Sequence, residues 1–316
     1  MKYFEILESH EGYSQRKKYS EEFIEKIKKY IEVSEIFKNR DITLFVAGSL
    51  GRMEFGKNSD VDFFVISKRK ISHLLEIEIL GYLIHLNHKL KLPEFSNDGK
   101  FLKVYSLEEM ISKTGSPVDD HENHFTTRLL MILESKAIVN EELYFHALKE
   151  VIDNYFKDKN DHPDFFPIYL LNDIARYWRT LCLNYEVIRF DKNKLWRKKN
   201  INLKYSRMIT IFATILPLLT LSNIREADVM QLTKLSPHER LAFGLDKMNN
   251  NNYLTEYKVI LDLYEGFLKA KENNDIDKNK DIKEKLDKQA DDFSDFLYKI
   301  LMDRQHNPKF KKYLVI

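Results

Sequence analysis

The chain has 316 residues, with 51 Lys and Arg against 49 Asp and Glu, and so balanced a charge does not announce a nucleic-acid binder. Hydrophobic residues make up 43% and aromatic residues 13%, enough for a large core, while nine glycines and seven prolines argue against an all-β chain rich in turns. The single cysteine, Cys182, excludes an intramolecular disulfide and fits a reducing cytoplasm.

The length predicts two domains. No cationic start followed by an apolar leader is visible. Residues 20–39 read as an amphipathic helix, because Phe23, Ile24, Ile27, Ile31 and Phe37 recur at helical spacing among Lys and Glu. A strand–turn–strand unit is expected over 43–67, built on the apolar runs Leu44–Ala47 and Val61–Ile66. A helix is expected over 71–90, followed by the loop PEFSNDGK and a short strand, FLKVYS. Ser106 and Glu109 form a capping box that opens another helix. Residues 123–139 and 141–156 read as helical, and from there the strand signal ceases.

The polar run KDKNDHPD (157–164) marks the expected domain boundary, giving an N-terminal domain over 1–157 and a helical domain over 158–316. Helices are expected near 166–190, 203–222, 236–248, 253–272 and 281–304. Pro237, just after Ser236, suits the first position of the third of these. The run 272–285 reads as a solvated connection. The longest apolar stretch, Met208 to Leu221, contains Pro217 and is shorter than the ~20 residues that a bilayer span requires. It reads as a buried helix, and no membrane partner is expected.

The most informative stretch is LFVAGSLGRMEFGKNSDVDFFVI (44–66). An apolar strand ends at Gly48-Ser49, and a second begins with Asp60 and Asp62, which alternation puts on one face of a strand. Two acids side by side repel each other unless a cation neutralises them. Hard cations such as Mg²⁺ commonly join one or two carboxylates to substrate phosphates. Upstream, small residues leave backbone N–H groups open to a phosphate where a turn enters a helix. Together these features point to phosphoryl or nucleotidyl transfer.

The pattern Gly-Ser, about a dozen residues, then Asp-x-Asp between apolar residues resembles the nucleotidyltransferase signature of the DNA polymerase β-like superfamily. The variant GSLGRMEFGKNSDVD is similar to the bacterial PII-uridylyltransferase branch, through Gly51-Arg52 and Ser59. Segments 172–186 and 203–207 resemble sequences found beside such domains in bacterial nucleotidyltransferase-like proteins. The resemblance implies an α+β fold, a small mixed-sheet nucleotidyltransferase domain followed by an all-helical domain, with the active site in the cleft between them. It implies that Asp60 and Asp62 hold Mg²⁺ or Mn²⁺, as two ions, and that Gly48 and Ser49 hold the triphosphate of an NTP donor. Arg52, one turn on, is expected to clamp a phosphate. The superfamily usually adds a third carboxylate from a later strand. Here the strand FLKVYS has Lys103 instead, so Asp98 in the preceding loop is the candidate, with Glu94 behind it.

Helix 172–186 divides into Ile174, Trp178, Leu181 and Tyr185, expected in the core, and a polar side with Arg176 and Arg179, candidates for nucleotide contact. Lys204 and Arg207 share a helix face and are further triphosphate candidates. The basic cluster 189–207, with Trp196 and Tyr205 interleaved, is a possible landing site for RNA. His121 and His124 lack zinc spacing and read as surface or capping residues. The expected activity is metal-dependent transfer of a nucleoside monophosphate to a hydroxyl acceptor, with protein, RNA and a small molecule all left open. The competing readings are a catalytically weak nucleotide-binding regulatory module and an RNA-binding protein.

Overall fold

The computed structural model of the protein describes residues 2–38, 40–95, 99, 101–162, 164–189, 196–306 and 311–314. Its helices are α1 (Lys2–Ser9), α2 (Glu11–Glu32), α3 (Gly48–Gly51), α4 (His73–Lys89), α5 (Leu107–Ser112), α6 (Pro117–His121), α7 (His124–Glu134), α8 (Glu141–Tyr155), α9 (Ile168–Arg189), α10 (Trp196–Asn202), α11 (Met208–Thr220), α12 (Glu226–Lys234), α13 (Pro237–Met248), α14 (Leu254–Glu272), α15 (Asp275–Lys278) and α16 (Lys280–Leu301). The strands are β1 (Ile42–Ala47), β2 (Asp62–Ser67), β3 (Val104–Ser106) and β4 (Lys136–Val139). The chain is therefore α+β, a small mixed sheet near its start followed by helices.

The chain divides into two units, one holding residues 16–161 and 225–236, the other residues 1–15, 162–224 and 237–316. The division falls within α2. In the first unit the strands lie in the order β3-β2-β1-β4. β1 pairs antiparallel with β2 and with β4, and β2 pairs parallel with β3. Both faces of β1 and β2 are buried, which explains why their sequences are continuous apolar runs rather than alternating ones. On one face, Ile42, Leu44, Val46, Phe63 and Val65 pack against Ile24, Ile27 and Ile31 of α2 and Ile79, Leu83 and Leu86 of α4. On the other, Phe45 stacks on Phe64 with ring centroids 5.2 Å apart, next to Tyr144 of α8 and Tyr105 of β3. Each such side chain, fully buried, stabilises the fold by roughly 1.5–3 kcal/mol.

Two elements differ from the sequence expectation. Residues 123–139 are not one helix: α7 stops at Glu134, Ser135 turns extended, and 136–139 become the edge strand β4. The run Ala137-Ile138-Val139 is compatible with either state, and pairing with β1 decides it. Residues 272–285, expected as a solvated connection, instead hold the end of α14, α15 and the start of α16, while α12 belongs to the sheet-bearing unit.

In the helical unit, α1 is anchored by the Tyr3 and Phe4 N–H groups, which donate to the two oxygens of Asp246 at 3.1 and 3.3 Å. Tyr205 stacks on Phe267 at 4.7 Å and on Phe293 at 5.4 Å, joining the turn 203–207, α14 and α16. That turn is a single π-helical turn between α10 and α11. Pro217 lies in the last turn of the buried helix α11. Among the described residues, no helix is long and apolar enough to cross a membrane.

Candidate active site

The site is built where β1 ends and β2 begins. The register pairs Ala47 with Asp62, so the turn after β1 starts directly beside the first residue of β2. Gly48 has φ +67°, a conformation that only glycine adopts at no cost. A Cβ at this position would collide with Oδ2 of Asp62. The absent side chain thus makes the room in which the Asp62 carboxylate lies over the turn. Ser49 follows, 8% exposed, and opens the four-residue helix α3.

Asp62 shares its sheet face with Phe64 and Ile66, by strand alternation. Asp60 precedes the strand rather than lying in it, so the two acids are not placed by a common strand. Residues 60–62 nonetheless alternate in burial: Val61 is buried in the core, and the two carboxylates on either side of it are half-exposed.

The loop between the strands is held from within. Ser49 O accepts from Glu54 N at 2.8 Å, Gly48 O from Arg52 N at 3.0 Å, and Leu50 O from Met53 N at 3.1 Å. Met53 takes a left-handed backbone and buries its side chain with Leu50 and Phe55. Ser20 of α2 accepts from Phe55 N at 3.0 Å. Ser59 closes the loop, its Oγ accepting from Gly56 N at 3.2 Å.

Arg52 requires a correction. Its guanidinium is 3% exposed; Nη1 donates to Oε2 of Glu134 at 2.6 Å and Nε to Oε2 of Glu54 at 2.9 Å. Two buried carboxylates hold it, where a guanidinium open to a phosphate was expected. Gly51 beside it packs so tightly on α7 that a Cβ would overlap the carbonyl oxygen of Glu134. The sequence reading missed Glu134, although an acid ending the apolar run Leu129–Leu133 is the kind of residue that is buried only when paired. Arg128 in the same helix is a second case, bonded to both oxygens of Asp119 at 2.6 and 2.7 Å and wholly buried.

At the entrance to β3, Lys103 donates to Oε2 of Glu122 at 2.7 Å, and its ammonium lies 4.9 Å from the centre of the Tyr105 ring. Asp98 lies outside the described residues, and Glu94 is exposed in the loop before them. Among the described residues, no group of three or more His, Cys, Asp and Glu is placed to hold a metal ion. His121 is at the surface as expected, but His124 is 4% exposed, a second correction. It packs edge-on to Tyr105 at 6.1 Å, and its Nδ1 is buried with no hydrogen-bond partner. Burial lowers its pKa, and the Lys103 ammonium lowers it further.

The remaining candidates belong to the helical unit. On α9, Ile174 and Tyr177 are buried, and Trp178, Leu181 and Tyr185 are half-buried. Arg176 is half-buried, 3.7 Å from Asp173, and Arg179 is exposed. Lys204 is 3.0 Å from Asp287, a carboxylate shared with Lys283, and Arg207 is half-buried one turn on. Of the basic cluster, residues 190–195 lie outside the described residues.

The segment that carries this geometry matches the family model described as "Nucleotidyltransferase domain", over residues 24–157. Residues 24–157 are a nucleotidyltransferase domain of the DNA polymerase β-like superfamily. No curated protein and no solved structure matches the chain. The nucleotidyltransferase domain begins within α2, includes all four strands, and ends just past α8. It thus contains the Gly-Ser turn, both acids and the Arg52 pair.

Proposed function

We propose that the protein moves a nucleoside monophosphate from a nucleoside triphosphate to a hydroxyl acceptor, releasing pyrophosphate. The observation that carries this reading is the Gly48–Asp62 juxtaposition: a left-handed glycine whose missing side chain admits a carboxylate at the head of β2. Asp60 and Asp62 are the residues that would hold a divalent cation, Mg²⁺ or Mn²⁺. Two half-exposed carboxylates leave most of such an ion's oxygen shell for substrate phosphates and water. When bound, the cation polarises the phosphoryl group and neutralises charge on the leaving pyrophosphate. Gly48 and Ser49 bring backbone N–H groups of a helix start, which have no partner within the helix, to the triphosphate. The buried Arg52–Glu54–Glu134 cluster holds that turn in place.

A second reading, a module that binds nucleotide with little turnover, is favoured by one observation. Lys103, bonded to Glu122, stands at the entrance to β3 where a third acid was sought. One experiment separates the two. The protein is incubated with each α-labelled NTP, Mg²⁺ or Mn²⁺, and cell extract, and pyrophosphate release and labelled acceptor are measured. A transferase labels one fraction of the extract, and Asp60→Asn or Asp62→Asn lowers the rate by at least about a hundredfold while the protein stays folded. Metal-dependent NTP binding without pyrophosphate release would select the module. Unchanged turnover in both variants would refute the assignment of the acids.

A further inference from the structure

Strand alternation decides what stands beside Asp62. In the parallel pair, Val65 lies opposite Val104 and Ile66 opposite Tyr105. Residues opposite each other share a face of the sheet, so Tyr105 joins Asp62, Phe64 and Ile66 on theirs. Lys103, one alternation before Tyr105, falls on the same face. The side chains agree: the Tyr105 and Phe64 rings stack at 6.2 Å, and the Lys103 ammonium lies 4.9 Å from the centre of the Tyr105 ring. Two residues along a strand and one strand across put the Lys103 and Asp62 backbones roughly 8 Å apart. In the order β3-β2-β1-β4, the Gly48 turn flanks Asp62 on the β1 side and Lys103 flanks it on the β3 side.

Lys103 is paired without being buried. Its side chain is 27% exposed, and that of its partner Glu122 is 46% exposed. Glu122 takes one of the three N–H groups of the ammonium. Arg52 is the contrast, 3% exposed and held by two buried acids. Lys103 is thus a cation on the face of Asp62 that a phosphate can reach. An ion pair this exposed is weak, so an incoming phosphate can take the place of Glu122.

Among the described residues, no third acid joins Asp60 and Asp62 in a metal-holding group. Charge shows what a lysine can do instead. Three carboxylates holding two divalent cations present one net positive charge to a triphosphate. Asp60 and Asp62 with one divalent cation are neutral, and the Lys103 ammonium, once it leaves Glu122, brings the sum to the same value. We propose that Lys103 contacts the phosphate chain of the bound nucleotide and supplies the charge of a second metal ion, so that the site takes one divalent cation and not two. This rests on the nucleotide site proposed above at Gly48, Asp60 and Asp62.

The test uses the full chain with Mn²⁺ and the α,β-methylene analogues of ATP, GTP, CTP and UTP, which cannot release pyrophosphate. Calorimetry identifies an analogue that binds. Equilibrium dialysis with that analogue saturating on both sides then counts Mn²⁺ per chain, and a single ion is expected. Lys103→Met should weaken analogue binding at least about tenfold, and Lys103→Arg, which keeps the charge, should stay within about threefold of the parent. Both should melt close to the parent, because the ion pair is exposed. Glu122→Gln should bind at least as tightly as the parent, since it releases the ammonium. Failure of the site itself reads differently: no analogue binds, or Asp62→Asn binds as the parent does, and the proposal falls with it. With the site intact, two Mn²⁺ per chain, the count that a third acid such as Asp98 would give, overturns the proposal alone. So does parental affinity in Lys103→Met, and so does a Lys103→Met variant that loses binding only in proportion to lost melting temperature.

Discussion

Replacing Arg52 by methionine removes one cation from between two buried carboxylates. The side chains of Arg52, Glu54 and Glu134 are 3%, 3% and 1% exposed, so water cannot take over the lost bonds. Two charge-assisted hydrogen bonds, at 2.6 and 2.9 Å, disappear together, each worth about 1.5–3 kcal/mol. Leaving a buried charge unpaired costs about 3–5 kcal/mol by itself, and the two estimates describe one loss and are not summed. Against a typical stability of about 5–15 kcal/mol this is a large fraction. With a urea dependence of about 2 kcal/mol per molar, the unfolding midpoint should fall by about 1.5–2.5 M. The double variant Arg52→Met, Glu134→Met removes one of the two acids that lose the guanidinium. It should recover at least about 1 kcal/mol, a coupling that only contacting residues show. A stability of Arg52→Met within about 0.5 kcal/mol of the parent, together with lost affinity for NTP, would refute the structural role of the pair. That pair of results belongs to a solvent-facing arginine that clamps phosphate.

Further outcomes follow from other contacts. Gly48→Ala forces a side chain onto Oδ2 of Asp62 and a left-handed backbone onto alanine. Calorimetry should show NTP affinity falling at least about tenfold, with most of the stability retained. Asp119→Asn strips the buried Arg128 of its carboxylate. It should cost about 3–5 kcal/mol in urea, while Asp119→Glu should cost less if the loss comes from charge. His124 has its pKa lowered chiefly by burial and then by Lys103, so the folded protein keeps it neutral to lower pH than the unfolded chain does. Asp119, Glu109 and Glu122 face it and act in the opposite sense without reversing the shift. The unfolded chain takes up the proton near pH 6.5, so stability should be full above that value and fall as pH drops below it. Urea midpoints at pH 7.5 and 5.5 should therefore differ less in His124→Phe than in the parent, and equal differences would clear His124.

Much of the fold was legible because its signals are local. The runs 44–47 and 61–66 are too short and too apolar to be anything but buried strands beside a Gly-Ser turn, and Ser106 does accept from Glu109 N, at 3.4 Å. The failures share a non-local cause. Residues 136–139 become a strand because β1 offers them an edge, which no window around them contains. Arg52 looked like a phosphate ligand because its partners lie 2 and 82 residues away and only packing brings Glu134 to it. Asp60 was assigned to a strand that begins two residues later, since a strand's first residue is set by the partner's end at Ala47 rather than by its own sequence. His124 was read as a surface or capping group because nothing near it in the chain shows that Tyr105 will cover it.

The anchoring of α1 on Asp246 joins residues 243 positions apart. Synthesis proceeds from the N-terminus at about 5–20 residues per second, so α1 waits more than about ten seconds for its partner to exist. Throughout that interval Tyr3 and Leu7, fully buried in the finished protein, are open to water and to other chains. Residues 16–161, by contrast, contain every strand found among the described residues and can collapse as they emerge. α1 is thus placed to act as a closing clasp, and blocking it should slow the final folding phase while leaving sheet formation at its normal rate.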